Sequence, residues 1–416
     1  MKKKLIFLLL LIICGFCYYY FIYLNDLKRV VEITQEESFY IDKYTVFGTH
    51  LNISACIDKK LEGNISLVLK NTKEEILVDS EFNIEDNKTC LFLSDKNNEG
   101  INLDELKIGK YLLLVKEDTK YYTLENNTDY ENIEYYTITR NNSNNKININ
   151  FNTYKNREYI SLKINKTTLP NNIYDITIDP GHGGVDPGAS YKLSGTNYNE
   201  SDLTLKISLL LKEELENLGL KVKLTRDKDI FLDNYGEDGR AVIPNEVSSK
   251  YSISIHLNSY SGTMNYGGVE VYIPNDINYD LANILANNIS EIVGFSRKKT
   301  NQIDKGIYHT YFTKQDIKES KEEMLDNDLK PYDIKVGSPY MFMIREVGGI
   351  STGAYIDGRN DKHGLNKYYN SNKTAEPYLI ELGYINYKKD LENIVKKPES
   401  FSNAIATSLE EYLKIS

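Results

Sequence analysis

The 416-residue sequence has no tryptophan, nine prolines, four cysteines and five histidines, and it carries no long basic tract. Scarce proline beside an ordinary 25 glycines excludes a collagen-like chain and a largely disordered one. A formal charge of −10 with no block of lysine and arginine argues against a duplex nucleic-acid partner, which needs a cationic face to displace counterions. The absence of tryptophan beside 34 tyrosines reads as a codon-composition bias, and no function is drawn from it. No Ala-x-Ala cleavage pattern follows the N-terminal apolar run, and neither Cys14 nor Cys17 is preceded by the small residue typical of a lipoprotein cleavage site.

What is present begins with Met1-Lys-Lys-Lys4 and the apolar run Leu5 to Leu24. About 20 apolar residues span a bilayer, and lysines ahead of them favour a cytoplasmic N-terminus with the rest exported. The expectation is a single-pass membrane anchor with the bulk of the chain extracytoplasmic. A long signal peptide cut near Leu24 is the alternative and makes the protein secreted. Length and a 41% hydrophobic content support two or three packed domains, with limits expected at 1–28, 29–168 and 169–416.

Between residues 30 and 165 run many short segments rich in Ile, Tyr, Val and Leu at period two, from Val30–Thr34 to Tyr159–Ile164. Clusters of Asn, Asp, Gly and Lys separate them, which is the pattern of an antiparallel sandwich. Cys56 and Cys90 sit in two such segments. They are either bridged, closing a loop worth about 3–4 kcal/mol, or two buried thiols. No histidine cluster or carboxylate pair stands in this half, and His50 is expected to be structural. A spacer or targeting module is therefore expected, its wall ligand or protein activator not legible.

From Ile173 strands and helices alternate, as in a mostly parallel α/β sheet with helices on both faces. Ile176-Thr-Ile-Asp-Pro-Gly-His-Gly-Gly-Val-Asp-Pro-Gly188 starts as a strand and ends in a Gly- and Pro-rich loop that delivers His182. Glu200 opens an amphipathic helix, His256 closes the strand Tyr251–His256, and Glu381 lies within the apolar strand Pro377–Gly383. The carboxyl ends of strands share one rim, so two imidazoles and two carboxylates can meet there. Two His and one Glu as ligands, an open position for water and a further carboxylate for protons form the composition of a catalytic zinc site. Asp179 is expected in an Asx-type turn, Asp186 and Asn258 close behind the ligands, and His309 and His363 outside any metal role.

In these four ordered blocks, residues 172 to 416 resemble the zinc-dependent N-acetylmuramoyl-L-alanine amidases, which cut the amide between glycan and stem peptide in bacterial cell wall. The pair Thr225-Arg226 extends the match. The resemblance implies that His182, Glu200 and His256 hold Zn²⁺, that Glu381 is the general base and acid, and that peptidoglycan is the partner. Residues 297 to 376 depart from the family. Within them the Gly-rich stretch Gly348–Tyr369 is expected to form part of a substrate groove with Arg345 and Arg359, Asn258 is expected to contact the substrate as well, and a helix over Asp316–Leu325 is the competing inhibitory lid. The other reading is an amidase-like wall-binding or scaffolding protein without activity.

Overall fold

The computed structural model describes residues 27–94, 100–234, 239–262, 265–275, 277–297, 299, 301–326, 335–348, 368 and 371–415. The apolar run Leu5–Leu24 and most of the stretch Gly348–Tyr369, with Arg359 and His363, lie outside the described residues. Among the described residues no helix is long and apolar enough to cross a membrane.

The N-terminal half consists of β1 (Phe39–Phe47), β2 (His50–Ile57), β3 (Ile65–Lys70), β4 (Glu75–Val78), β5 (Glu81–Glu85), β6 (Lys88–Leu93), β7 (Ile101–Asn102), β8 (Gly109–Glu117), β9 (Lys120–Tyr122), β10 (Leu124–Glu125), β11 (Ile133–Tyr136), β12 (Asn144–Tyr154) and β13 (Arg157–Thr167). One sheet runs β10-β1-β2-β6-β5 with β7 beside β2, the other β11-β12-β13-β8-β3-β4 with β9 beside β8. Period-two side chains bring Leu67, Leu113, Val115, Ile160 and Leu162 of the second sheet against Ile41, Ile53, Ala55 and Leu91 of the first in one core. Cys56 and Cys90 are direct cross-strand partners on β2 and β6, 4.1 Å apart at Cα, and are bridged.

Val30–Thr34, expected as a strand, is instead helical over residues 27–32. Val30 and Val31 pack onto the outer face of the second sheet, against Val68, Leu112, Leu114 and Tyr159. The strands under them already have neighbours on both sides, so no edge is free to pair, and the segment satisfies its backbone internally. Arg157 Nη1 then takes the carbonyl of Thr34 at 2.8 Å.

The C-terminal half follows as β14 (Ile176–Pro180), β15 (Ser190–Leu193), β16 (Thr196–Asn199), α1 (Glu200–Asn217), β17 (Val222–Leu224), α2 (Ile243–Glu246), β18 (Tyr251–Asn258), β19 (Glu270–Tyr272), α3 (Asp280–Val293), β20 (Gln302–Asp304), β21 (Ile307–Tyr308), α4 (Lys314–Asp326), α5 (Phe342–Val347), β22 (Lys373–Thr374), β23 (Glu376–Tyr384), α6 (Lys388–Lys396) and α7 (Pro398–Leu413). Its sheet is ordered β17-β14-β18-β23-β19-β21-β20, parallel through β23 and antiparallel from β23 to β19. The long helices α1, α3 and α7 cover one face, where Ile178, Ile253, Ile255, Ile380 and Leu382 meet Ile207, Leu211, Leu285 and Ile405. On the other face short α5 adds Met343, Ile344 and Val347 to Tyr272, Tyr308 and Leu379, beside a buried polar row of Thr177, Asp179, Ser252 and Ser254. Most of that row is hydrogen-bonded: Asp179 accepts from Thr225 Oγ1 at 2.7 Å and Ser254 Oγ at 2.8 Å, and Thr177 Oγ1 pairs with Ser249 Oγ at 2.5 Å.

The halves are stitched together. β22, just upstream of β23, pairs in parallel with β1. Thr139 N donates to Asp175 Oδ1 at 3.1 Å, and Arg140 Nη2 to the Leu413 carbonyl at 2.8 Å.

Candidate metal and catalytic site

β14 ends at Pro180, and the chain turns at once through Gly181 to His182, whose φ of 61° lies in the left-handed region. A β-carbon at Gly181 would collide with the His256 imidazole, so only glycine lets the two strand ends come this close. At Gly188, φ 64°, a β-carbon would stand 2.6 Å from the His182 ring and 2.8 Å from the Glu200 carboxylate. Two buried guanidiniums hold this loop. Arg226 donates to the carbonyls of Pro180 (3.0 Å), Gly181 (2.8 Å) and Ser201 (2.8 Å), tying the His182 loop to the start of α1. Arg240 pairs with Asp179 at 3.2 Å and donates to the His182 carbonyl at 2.9 Å. Asp179 is thus a buried strand residue anchoring Arg240, not the turn former expected.

Three expected ligands are brought together. One ligand atom each of His182, Glu200 and His256 lies within 4.8 Å of the others. Glu200 Oε1 is 3.1 Å from His182 Nε2 and 3.0 Å from His256 Nδ1, and the two rings stand edge to face with centroids 5.0 Å apart. Glu200 is almost fully buried at the first turn of α1, where the N–H groups of Leu257 (2.9 Å) and Ala189 (3.0 Å) fix its two oxygens. Asp186 Oδ2 sits 2.8 Å from His182 Nδ1, which assigns the outer nitrogen to Asp186 and leaves Nε2 facing inward.

Charge follows from this packing. Burial works to raise the Glu200 pKa, yet hydrogen bonds and charge from both histidines outweigh it and hold the carboxyl well below the usual range. For His182 burial works downward, and Glu200 and Asp186 more than offset it, raising the imidazole.

Glu381 follows Ile380 on β23 and is the register partner of His256 on β18. It is half-buried, its Oε2 has no hydrogen-bond partner, and burial followed by the charges of Glu200 and Glu270 pushes its pKa well above the ordinary value. Across β19, its antiparallel partner Glu270 is fully buried. Glu270 accepts from Tyr272 OH (2.6 Å), Tyr384 OH (2.6 Å), Asn258 Nδ2 (3.0 Å) and Lys299 Nζ (2.6 Å). Glu270 was not among the expected site residues, although a carboxylate in the apolar strand Gly268–Ile273, like Glu381 in its own, is costly unless paired.

The expected groove residues divide. Asn258 lies beside the site, but its amide is committed, Nδ2 to Glu270 and Oδ1 to the Ser259 N–H at 2.8 Å. Arg345 is corrected: only 2% exposed on α5, it donates to Glu346 (2.9 Å) and to the carbonyls of Pro339 and Tyr340 (both 2.9 Å). A buried guanidinium must find acceptors within the fold, so none of these donors is free to reach a substrate carboxylate. The helix expected over Asp316–Leu325 is present as α4, with Thr313 and Asp316 capping each other at 2.7 and 3.1 Å.

The donor set fits a zinc ion on its own chemistry: two neutral-capable imidazoles and a deprotonated carboxylate converge, and an unpartnered carboxylate oxygen belongs to the neighbouring Glu381. Residues 176–319 match the profile of a family described as N-acetylmuramoyl-L-alanine amidase. A sporulation-specific N-acetylmuramoyl-L-alanine amidase of Bacillus subtilis is 25% identical over 233 residues, 54% of this chain and 80% of that protein. A probable cell wall amidase, LytH, of Staphylococcus aureus is 36% identical over 112 residues, 26% of this chain and 34% of that protein. Among solved structures, the N-acetylmuramoyl-L-alanine amidase AmiC2 of Nostoc punctiforme shares 23% identity over 59% of this chain and 98% of that one, with a TM-score of 0.38.

Proposed function

We propose that this chain, whose residues 176–319 match the N-acetylmuramoyl-L-alanine amidase family, hydrolyses the amide between N-acetylmuramic acid and L-alanine in peptidoglycan with a zinc ion held by His182, Glu200 and His256. The observation that supports this most is the convergence of those three side chains within 4.8 Å beside a carboxylate oxygen that has no partner of its own. Bound there, zinc supplies acidity to water and polarises a carbonyl.

The chain's own residues do the rest. Asp186 keeps the His182 Nδ1 proton, so that Nε2 offers its lone pair inward. Two backbone N–H groups stop the Glu200 carboxylate from rotating away. Glu381 Oε2 takes the proton of the attacking water as its oxygen bonds to the scissile carbonyl carbon, then passes that proton to the L-alanine nitrogen as the C–N bond breaks. Glu270, fixed by four donors, holds the strand opposite Glu381 in place.

The test uses the full chain purified in neutral detergent and incubated with peptidoglycan. Muropeptide mass spectrometry is expected to show stem peptides with free L-alanine amino termini, abolished by a chelator and restored by zinc. Glu381→Gln is expected to keep one zinc per chain while losing about 10²–10⁴ in turnover. Intact muropeptides from zinc-loaded parent protein would refute the reading. The run Leu5–Leu24 behind three lysines supports anchoring on the outer face of the cell membrane. Extraction of cell membranes with alkaline carbonate is expected to leave the chain in the pellet, and its release into the supernatant would remove the anchor.

A further inference from the structure

His256, Glu381 and Glu270 form a row across three neighbouring strands. His256 on β18 is the register partner of Glu381 on β23, and Glu381 is that of Glu270 on β19. The alternate residues Ile255, Ile380 and Val271 lie in the core under the long helices, which puts the row on the opposite face of the sheet. Lys299 ends the row. Its Nζ lies 2.6 Å from Glu270 Oε2, with the ring centroids of Tyr308 and Tyr384 at 5.5 and 5.9 Å. Burial, Glu200 and Glu270 raise the pKa of Glu381 and Lys299 is the cation set against them, so its charge reaches the general base.

A counter-ion that served Glu270 alone would have no reason to face solvent. Lys250 and Arg345, the buried cations of this half that hold the fold, are each 2% exposed. The Lys299 side chain keeps 36% of its exposure beside a Glu270 that has none. Glu270 also has three uncharged donors, from Tyr272, Tyr384 and Asn258. An ammonium carries three protons, and the bond to Glu270 uses one. The carboxylate and the two rings fix the nitrogen in place, and the remaining protons are left for a ligand on the open side.

The direction of the bound chain follows from the proposed reaction, on which this inference rests. Glu381 hands its proton to the L-alanine nitrogen, while the carbonyl carbon lies toward the cluster of His182, Glu200 and His256. The stem peptide therefore leaves the site on the β19 side, along the row toward Lys299. Opposite residues of an antiparallel pair have β-carbons about 5 Å apart, and two residues of extended peptide cover at most about 7 Å. The second residue of the stem thus arrives beside the ammonium. Arg345, the cation expected to meet stem carboxylates, is enclosed by the carbonyls of Pro339 and Tyr340. We propose that Lys299 is a specificity-determining residue that pairs with a free carboxylate on the second residue of the stem peptide, favouring stems with that group ionised over stems in which it is amidated.

The full chain carrying Glu381→Gln, in neutral detergent and loaded with zinc, is titrated by calorimetry with two muropeptides that it does not turn over. One is N-acetylmuramoyl-L-alanyl-γ-D-glutamyl-L-lysine, whose glutamyl α-carboxylate is free, and the other is the same compound amidated at that carboxylate. The free acid is expected to bind at least tenfold tighter, as a charge-assisted hydrogen bond requires. Adding Lys299→Gln, which keeps an N–H for Glu270, is expected to raise the Kd of the free acid tenfold or more and to leave that of the amide within twofold. Lys299→Arg is expected to retain the preference. Unchanged binding of the amide separates a lost contact from a lost fold. Equal affinities in the Glu381→Gln protein, binding of neither muropeptide, or a preference that survives Lys299→Gln overturns the proposal. Hydrolysis of peptidoglycan by the zinc-loaded parent is read separately. Hydrolysis beside equal affinities strikes the role of Lys299 alone, and intact muropeptides beside a Lys299-dependent preference strike the reaction alone.

Discussion

His182 keeps a left-handed backbone that a residue with a β-carbon adopts only when its surroundings impose it, and here the surroundings can be named. Arg240 grips its carbonyl, and Asp186 grips its outer nitrogen. Asp186→Ala removes the second grip without touching the inward donors. It is expected to weaken zinc affinity by about 10–100-fold in competition with a chromophoric chelator, while the fold persists. A second residue-scale consequence concerns Asp390 on α6. Its Oδ2 accepts the N–H groups of Gly268 (2.8 Å) and Tyr384 (3.0 Å), and burial outweighs them, raising its pKa to about 6. The folded carboxyl therefore binds its proton more tightly than the unfolded one. Its contribution to stability is complete below the ordinary 3.8 and is lost as pH rises through 6. Asp390→Asn keeps an acceptor for both N–H groups and removes the buried charge. It is expected to stabilise the protein by up to about 3 kcal/mol at pH 7.5 and by almost nothing at pH 4, as read from urea unfolding at the two values.

At the scale of elements, each strand that carries chemistry is positioned by what flanks it. β18 and β23 pair His256 with Glu381 in register, and β19 places Glu270 against Glu381 from the other side. Shifting β23 by one residue would turn Glu381 onto the helix-covered face, so the site depends on register as much as on residue identity. In the sandwich, the Cys56–Cys90 bridge ties β2 to β6 across a separation of 34 residues. The Cys56→Ser/Cys90→Ser double variant is expected to lower the stability of this half by about 3–4 kcal/mol. Thermal denaturation monitored by tyrosine absorbance reads this, and an unchanged midpoint would mean that the bridge adds nothing to the ladder around it.

For the whole molecule, the two halves share a hydrogen-bonded seam. β22 belongs in sequence to the catalytic half and in space to the sandwich, and one residue later the chain enters the strand bearing Glu381. Beneath it Lys250, 2% exposed, lies 3.6 Å from Asp175, whose carboxylate also accepts from Thr139 N of the sandwich and from Lys221 N at 2.8 Å. Asp175→Ala strands a buried ammonium and two N–H groups at once. It is expected to cost about 3–5 kcal/mol and to split one calorimetric transition into two as the seam opens. A single transition with unchanged midpoint would mean that the halves unfold together for another reason.

The sequence by itself determined the class of both halves, since period-two apolar strands and alternating strand–helix units leave few ways to bury their hydrophobic faces. It also displayed the chemical types at His182, Glu200, His256 and Glu381, because a Gly-rich strand exit and a carboxylate in an apolar strand are local signals. Helical packing at Val30 and Val31, burial of Arg345 and the linked pair of Glu270 and Lys299 were decided only in the tertiary structure. Each depends on which surface or donor lies opposite: a sheet face without a free edge, carbonyls just before α5, a tyrosine hydroxyl from the neighbouring strand β23.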